Sequence, residues 1–169
     1  MPKQETLTKS DVEKIEAEIE ERKLVRRPQL IAEVKEARAH GDLSENFEYY
    51  AAKKAKNENE SRIGYLERIL RTAVIISDES GEDEVGINNF VTVEFLEEKE
   101  TERYKIVTSI RGDSLNGMIS IESPLGAALM GHKEGDVCSV AVNADYSYKV
   151  KIVKIEKTTD DTGDKLKTF

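Results

Sequence analysis

Two stretches of the chain carry apolar residues on a helical repeat. Apolar positions recur every three or four residues in each stretch, with mostly charged residues between them. They are Val12, Ile15, Ile19, Ile31 and Val34 in the first stretch and Ile63, Leu66, Leu70 and Ala73 in the second. This spacing is typical of amphipathic helices. Ser10 and Glu13 have the spacing of a capping box, so the first helix is predicted to start near Asp11.

Gly41 marks the predicted turn between the two helical stretches. Apolar residues lie at equal distances on either side of it; the pairs are Val12 with Leu70, Ile19 with Ile63 and Ile31 with Ala51. Glycine is favoured where a helix ends in left-handed backbone. We therefore predict an antiparallel helical hairpin that turns at Gly41. Pro28 lies inside the first arm, and because proline removes a helical hydrogen bond, a kink or short break is expected nearby.

The second half of the chain changes to short β-branched runs separated by turn signals such as Asn116-Gly117. The predicted strands are Phe90–Leu96, Tyr104–Ile110, Met118–Ile121, Val137–Val142 and Tyr148–Ile155. The pattern predicts an α+β chain with the hairpin in 1–76, an acidic linker in 77–89, a small β-rich domain in 90–157 and a disordered polar tail in 158–169.

Composition and charge narrow the classes of protein to which the chain can belong. The 169 residues include 26 Lys and Arg against 34 Asp and Glu, for a net charge of −8, all of which arises after residue 72. The charged fraction of 36% suggests long exposed helices, and an acidic chain is poorly suited to gripping duplex DNA. No apolar run approaches the roughly 18 residues of a membrane span. Cys138 alone cannot form an internal disulfide or a Cys-rich zinc site, so a reducing cytoplasm is expected.

The predicted turn carries two acids, Asp42 and Glu45, three positions apart. One interpretation is local, with Asp42 as the helix N-cap and Glu45 at the third helical position. The other is chemical, because two projecting carboxylates can give a divalent ion one or two oxygens and leave its other positions to water and phosphate. They cannot form a complete metal site alone, so this second role would need a partner that completes the site.

The sequence around the turn resembles a known family. The segment GDLSENFEYYAAKK, preceded by RRPQLIAEVKEARAH and followed by RIGYLERIL, is similar to the Gre family of bacterial transcript cleavage factors, and the likeness continues through SPLGAALMGHKEGD. The resemblance implies an N-terminal coiled-coil hairpin followed by an FKBP-like domain. The Lys53-Lys54 pair looks more GreB-like, whereas Asp42-Leu43 and the SPLGAALMGHKEGD segment look more GreA-like.

The resemblance also implies roles for the turn residues. In the family, acids that match Asp42 and Glu45 enter the secondary channel of RNA polymerase and help to hold a second Mg²⁺, so that the polymerase cleaves backtracked RNA. Ser44, Asn46 and Tyr49 match the same pattern and are expected to support the acids. Turn chemistry and hairpin packing are equally open roles for these three residues.

A basic patch on the second helix is the other implied contact. Lys53 and Lys54, with Lys56 beside them, match family residues that contact the extruded 3′ segment of the RNA, although an ordinary solvated face is the local interpretation. Phe47 and Tyr50 are expected to pack in the first turn of the helix. The resemblance implies a cytoplasmic monomer that binds polymerase without sequence-specific DNA contacts and is not itself the catalyst.

Two alternatives stay open. A family homologue can enter the same channel and inhibit the polymerase, although such homologues tend to have an altered, more acidic turn than the Asp-Leu-x-Glu-Asn pattern seen here. A different class of protein is a coiled-coil interaction module in which the acids only cap a helix. An independent nuclease is disfavoured, because two acids on an exposed hairpin cannot surround a metal ion and an RNA.

Overall fold

The computed structural model describes residues 4–42 and 46–168. Within them the chain forms two compact units, one built from residues 11–73 and the other from residues 5–10 and 74–168. The first unit is helical and the second contains a five-stranded sheet. The predicted α+β class, with helices before strands, is confirmed. Residues 5–10 join the second unit, which a division at residue 76 did not anticipate.

Three helices form the two arms of the hairpin. The first arm contains α1 (Lys9–Glu21) and α2 (Arg27–Ala39), and the second arm is the single helix α3 (Phe47–Thr72). Helix α1 begins two residues before the predicted start, with Thr8 rather than Ser10 ahead of its first turn. Thr8 and Asp11 repeat the three-residue spacing between a cap and an acid, and both are buried.

The break predicted around Pro28 is a π-helical turn. Residues Arg22–Arg26 form this turn between α1 and α2, and the amide of Arg27 donates to the Arg22 carbonyl five residues back. Pro28 lies in the first turn of α2. A proline ring clashes with the carbonyl four residues before it, and the wider π turn accommodates that clash without ending the helix.

A polar cluster joins the arms next to the π turn. The Glu18 carboxylate accepts from Arg22 Nε and from the buried Arg62 Nε, each at 2.8 Å. Arg22 Nη1 also donates to Asn59 Oδ1 at 2.9 Å, and Asn59 Nδ2 donates back to the Arg22 carbonyl at 3.2 Å. Burial opposes ionisation of Glu18, but the bonds from Arg62 and Arg22 outweigh it and hold the pKa of Glu18 below its ordinary value.

The sheet of the second unit is a mixed sheet centred on β3. Its five strands are β3 (Phe90–Phe95), β4 (Glu100–Val107), β5 (Met118–Ser120), β6 (Val137–Ala141) and β7 (Ser147–Glu156). Two shorter strands, β1 (Thr6–Leu7) and β2 (Val74–Ile75), form a separate parallel pair. The order is β5-β4-β3-β7-β6, antiparallel except for the β4–β5 pair. Each predicted strand is present, with ends shifted by a few residues.

One apolar core stabilises the sheet. The short helix α4 (Pro124–Leu129) is capped by Ser123, whose hydroxyl accepts from the Gly126 amide. This helix buries Leu125 and Leu129. Cys138 is buried on β6, as predicted, and burial raises the pKa of its thiol. The core consists of Val85, Val91, Val93, Ile106, Leu125, Leu129, Cys138, Val140, Val150 and Ile152.

Two segments that were predicted to lie outside the folded domain are part of it. The end of the predicted linker contributes buried Val85 and Ile87 together with buried Asn88 and Asn89. The predicted disorder of the tail is wrong for residues 158–168, because their backbone and side chains bond to this unit. Asn89 Nδ2 donates to the Thr158 carbonyl and Lys105 Nζ to the Asp160 carbonyl, and the Lys167 amide donates to the Ile110 carbonyl.

Candidate functional site at the hairpin turn

The turn of the hairpin is closed by Asn46. Helix α2 ends at Ala39, and Gly41 has the positive φ of 122° predicted for the turn. Asn46 Oδ1 accepts from the Tyr49 amide at 2.9 Å, which makes Asn46 the N-cap of α3. Its Nδ2 donates to the Ala37 carbonyl at 2.6 Å. One side chain thus satisfies an amide at the start of α3 and a carbonyl at the end of α2.

This arrangement corrects the capping interpretation of the two acids. Helix α3 begins at Phe47, so its cap is Asn46 and its third position is Tyr49, not Glu45. Asparagine caps a helix as well as aspartate does, and from position 46 it also reaches the facing arm. Asp42 lies exposed beside Gly41. Ser44 and Glu45, which were also predicted to act at this site, lie outside the described residues.

Tyr49 and Glu48 connect the start of α3 to the end of α2. The Arg38 guanidinium lies 5.6 Å from the centroid of the half-buried Tyr49 ring, an attractive cation–π distance. His40 Nδ1 and Glu48 Oε2 are 3.0 Å apart across the turn. Sequence reasoning missed Arg38 and Glu48, whose contacts across the turn depend on the packing of the two arms. For Asn46 and Tyr49 the structure shows a structural role in the turn.

The three predicted lysines differ in their surroundings. Lys53 and Lys54 are exposed, and the Lys54 ammonium is 3.9 Å from the Glu58 carboxylate one turn further on. Lys56 is half-buried and contributes to the field that lowers the pKa of Glu60, whose largest cause is the hydrogen bond from Arg27. Lys53 and Lys54 therefore form an accessible positive patch, and Lys56 is closer to the inter-arm ion pairs.

The prediction that Phe47 and Tyr50 pack in the first turn is wrong for Phe47, whereas Tyr50 packs in part, against Tyr49. The Phe47 side chain is 86% exposed and Tyr50 is 51% exposed. The rings of Tyr49 and Tyr50 meet edge to face, with centroids 5.4 Å apart. Tyr49 takes the inward position beside Arg38, because the helical repeat places Phe47 and Tyr50 on a different side of α3 from Tyr49.

The donors at the turn suit a hard cation. A carboxylate such as that of Asp42 offers the oxygen ligands that Mg²⁺ prefers, and Mg²⁺ is often held by one or two protein carboxylates with water and phosphate in its other positions. Within residues 4–42 and 46–168, no group of three or more His, Cys, Asp or Glu side chains is arranged to hold a metal ion. In the same residues, no helix is long and apolar enough to cross a membrane.

The fold defines a two-unit α+β protein whose hairpin presents acidic, basic and aromatic side chains near its turn. Residues 5–75 match the family model described as transcription elongation factor, N-terminal, and residues 79–157 match the model described as transcription elongation factor, GreA/GreB, C-term. The chain therefore belongs to the GreA/GreB family of transcription elongation factors. The resemblance read from the sequence is confirmed.

Similar proteins cover nearly the whole chain. Transcription elongation factor GreA of Streptococcus gordonii is 48% identical over 153 residues, which is 90% of this chain and 95% of that protein. Transcription elongation factor GreA of Streptococcus sanguinis is 47% identical over the same shares. Among solved structures, GreA factor homolog 1 (Gfh1) of Thermus thermophilus is 29% identical, with a TM-score of 0.42 over 92% of this chain and all of that one.

Proposed function

We propose that this elongation factor inserts its hairpin turn into the secondary channel of bacterial RNA polymerase and stimulates the polymerase to cleave backtracked RNA. The observation that supports this most is the identity of the helix cap. Asn46 is the N-cap of α3, and the acid Asp42 lies exposed at the turn. The family membership supplies the elongation context.

Asp42 and Glu45 would each donate a carboxylate oxygen toward a Mg²⁺ that the polymerase also holds. When bound there, the ion supplies Lewis acidity and stabilises negative charge on the phosphodiester during hydrolysis. The polymerase provides the remaining ligands and is the catalyst, so this chain activates the reaction and is not the enzyme. The chain's own task is to hold its carboxylates at a fixed position and to raise the local negative charge.

The other turn residues would position the acids. Asn46 fixes the angle at which the chain enters α3, through its bonds to the Tyr49 amide and the Ala37 carbonyl. Tyr49 holds the start of α3 against Arg38. Ser44 is proposed to support the acids directly. Lys53 and Lys54 would contact phosphates of the RNA 3′ segment, a kind of contact that fixes position and reads no sequence. Lys56 would add to that field.

The proposal places the factor in the cytoplasm, where it would act as a monomer. The test is stimulated cleavage in a stalled, backtracked elongation complex, comparing the natural protein with Asp42→Asn and Glu45→Gln at equal occupancy on the polymerase. Both substitutions keep size and hydrogen bonding and remove a charge. We expect stimulated cleavage by the natural protein and its loss in both folded variants.

Three results would contradict the proposal in different ways. Unchanged cleavage by both variants would remove the acids from the mechanism. Binding to the polymerase without any stimulated cleavage would identify an inhibitor of the same family. RNA hydrolysis by the purified factor in Mg²⁺ buffer, without polymerase, would identify an independent nuclease. The lengths of the released RNA fragments separate GreA-like from GreB-like cleavage.

A further inference from the structure

Two aromatic side chains near the hairpin turn are largely exposed to solvent, although the ring of one of them, Tyr50, meets Tyr49 edge to face. We call Phe47 and Tyr50 the aromatic strip; Phe47 is 86% exposed and Tyr50 is 51% exposed. Burying a phenylalanine side chain stabilises a protein, and Phe47 at the first position of α3 realises little of this gain. Aromatic residues that are left open at a projecting site are suited to contacts with a planar apolar partner.

The aromatic strip continues into the positive patch. Residues three or four positions apart on a helix are surface neighbours, so Tyr50 adjoins Phe47 on one side and both Lys53 and Lys54 on the other. From Phe47 to Lys54 the helix rises about 10 Å, the length of about three stacked nucleotides. Along this length the two rings come first and the two ammonium groups follow, so one short strand could contact both.

Three acids near the turn, Glu33, Glu36 and Glu48, line a groove on another side of the hairpin. The Glu48 carboxylate is 3.0 Å from His40 Nδ1, and both residues line an open groove between α2 and α3 together with Glu33 and Glu36. Glu58 lies on the same side as Lys54, one turn further along α3, with its carboxylate 3.9 Å from the Lys54 ammonium. The Tyr50 end of the aromatic strip therefore adjoins positive charge, and neither ring of the strip lines the acidic groove.

We propose that the aromatic strip stacks on an unpaired base of single-stranded nucleic acid while Lys53 and Lys54 contact its phosphates. This inference rests on the proposed function, in which that strand is the 3′ segment of the backtracked RNA. Stacking on aromatic rings beside a positive groove is the common way in which proteins hold single strands without reading their sequence. Phe47 and Tyr50 are positioning residues, which fix the strand relative to the acids of the turn.

The test uses full-length protein on a backtracked complex whose extruded RNA carries 2-aminopurine, a base whose fluorescence falls when it stacks. Asp42→Asn serves as the parent, because slowed cleavage keeps the probe in place during the reading. Phe47→Leu keeps apolar bulk and removes the aromatic face, whereas Phe47→Trp keeps an aromatic face. Leu24→Ala, at an apolar side chain that is 67% exposed on the first arm, is the matched control.

We expect quenching with the parent, with Phe47→Trp and with Leu24→Ala, and its loss with Phe47→Leu. With Asp42 intact, Phe47→Leu should slow stimulated cleavage about 5- to 150-fold, the equivalent of the ~1–3 kcal/mol that one stacked base contributes. Quenching that persists in Phe47→Leu would overturn the inference. The inference would also be overturned if Phe47→Leu kept full stimulation of cleavage while Phe47→Ala bound the polymerase more weakly. That pair of results would identify Phe47 as an apolar contact with the polymerase. If only the proposed function were wrong, the parent would still quench the 2-aminopurine fluorescence, but the natural protein would not stimulate cleavage.

Discussion

Asp164 in the tail neutralises two buried cations of the sheet unit. Lys105 Nζ lies 3.0 and 2.8 Å from the two Asp164 carboxylate oxygens, and Arg111 Nη1 lies 2.7 Å from one of them. The side chains of Arg111, Lys105 and Asp164 are 0%, 8% and 9% exposed. Arg111 Nη1 also donates to Asn88 Oδ1. Asp164→Asn keeps the shape of this side chain and removes the negative charge.

The expected cost follows from the burial of the cations. Removing one partner of a buried ion pair destabilises a protein by about 3–5 kcal/mol, because the remaining charge is left uncompensated in a low-dielectric environment. For a unit of about 100 residues, each kcal/mol lowers the melting temperature by about 4–8 °C. Asp164→Asn should therefore lower the melting temperature of the sheet unit by about 12 °C or more.

Differential scanning calorimetry of the full-length chain measures this effect. Lys165→Gln, at the next and exposed position, is the control and should change the melting temperature by less than about 2 °C. A second variant, Lys105→Met with Asp164→Asn, should recover part of the loss, since one of the two buried cations that Asp164 contacts is then absent. A melting temperature for Asp164→Asn equal to that of the control would show that the tail does not stabilise the unit.

Three further predictions concern other contacts. Asn46→Ala should lower hairpin stability by about 1 kcal/mol or somewhat more, measured by urea unfolding followed by circular dichroism, because it removes the cap of α3 and the bond to the facing arm. Gly126→Ala should destabilise the sheet unit in calorimetry, since the added Cβ would lie 1.9 Å from the Ser120 carbonyl oxygen. Gly64 has open space around it, so Gly64→Ala should instead stabilise α3 by up to about 1 kcal/mol. Glu18→Gln should lower the urea midpoint at pH 7, and the difference from the natural protein should shrink as the pH falls below about 4.5. The reason is that a carboxylate whose pKa is lowered by folding stabilises the folded state only while it is ionised. A difference in midpoint that stays constant down to pH 3 would contradict this.

The features that the sequence predicts well are those fixed by local chemistry. Gly41 adopts positive φ, the π turn lies just before Pro28, and alternating β-branched residues such as Val91 and Val93 place the strands. Each of these follows from the conformational preference of a residue or from a short repeat. The family resemblance added the proposed role of the acids at the turn.

The features that sequence reasoning missed depend on contacts between distant residues. The tail has the polar composition of a disordered segment, and nothing in its own sequence shows that Lys105 and Arg111 are buried beneath it. The sequence also does not decide whether Asp42 or Asn46 caps α3, because either residue type suits a helix N-cap. The contact of Asn46 with the Ala37 carbonyl, across the turn, decides it.

The most direct test of the central claim is the Mg²⁺ dependence of stimulated RNA cleavage. The rate would be measured across a Mg²⁺ titration for the natural protein and for Asp42→Asn, both at saturating occupancy on a backtracked complex. If Asp42 donates a ligand to a shared ion, the variant should require a higher Mg²⁺ concentration for half-maximal cleavage, with its polymerase affinity unchanged. An unchanged Mg²⁺ requirement in a folded, bound variant would contradict ligand donation by Asp42.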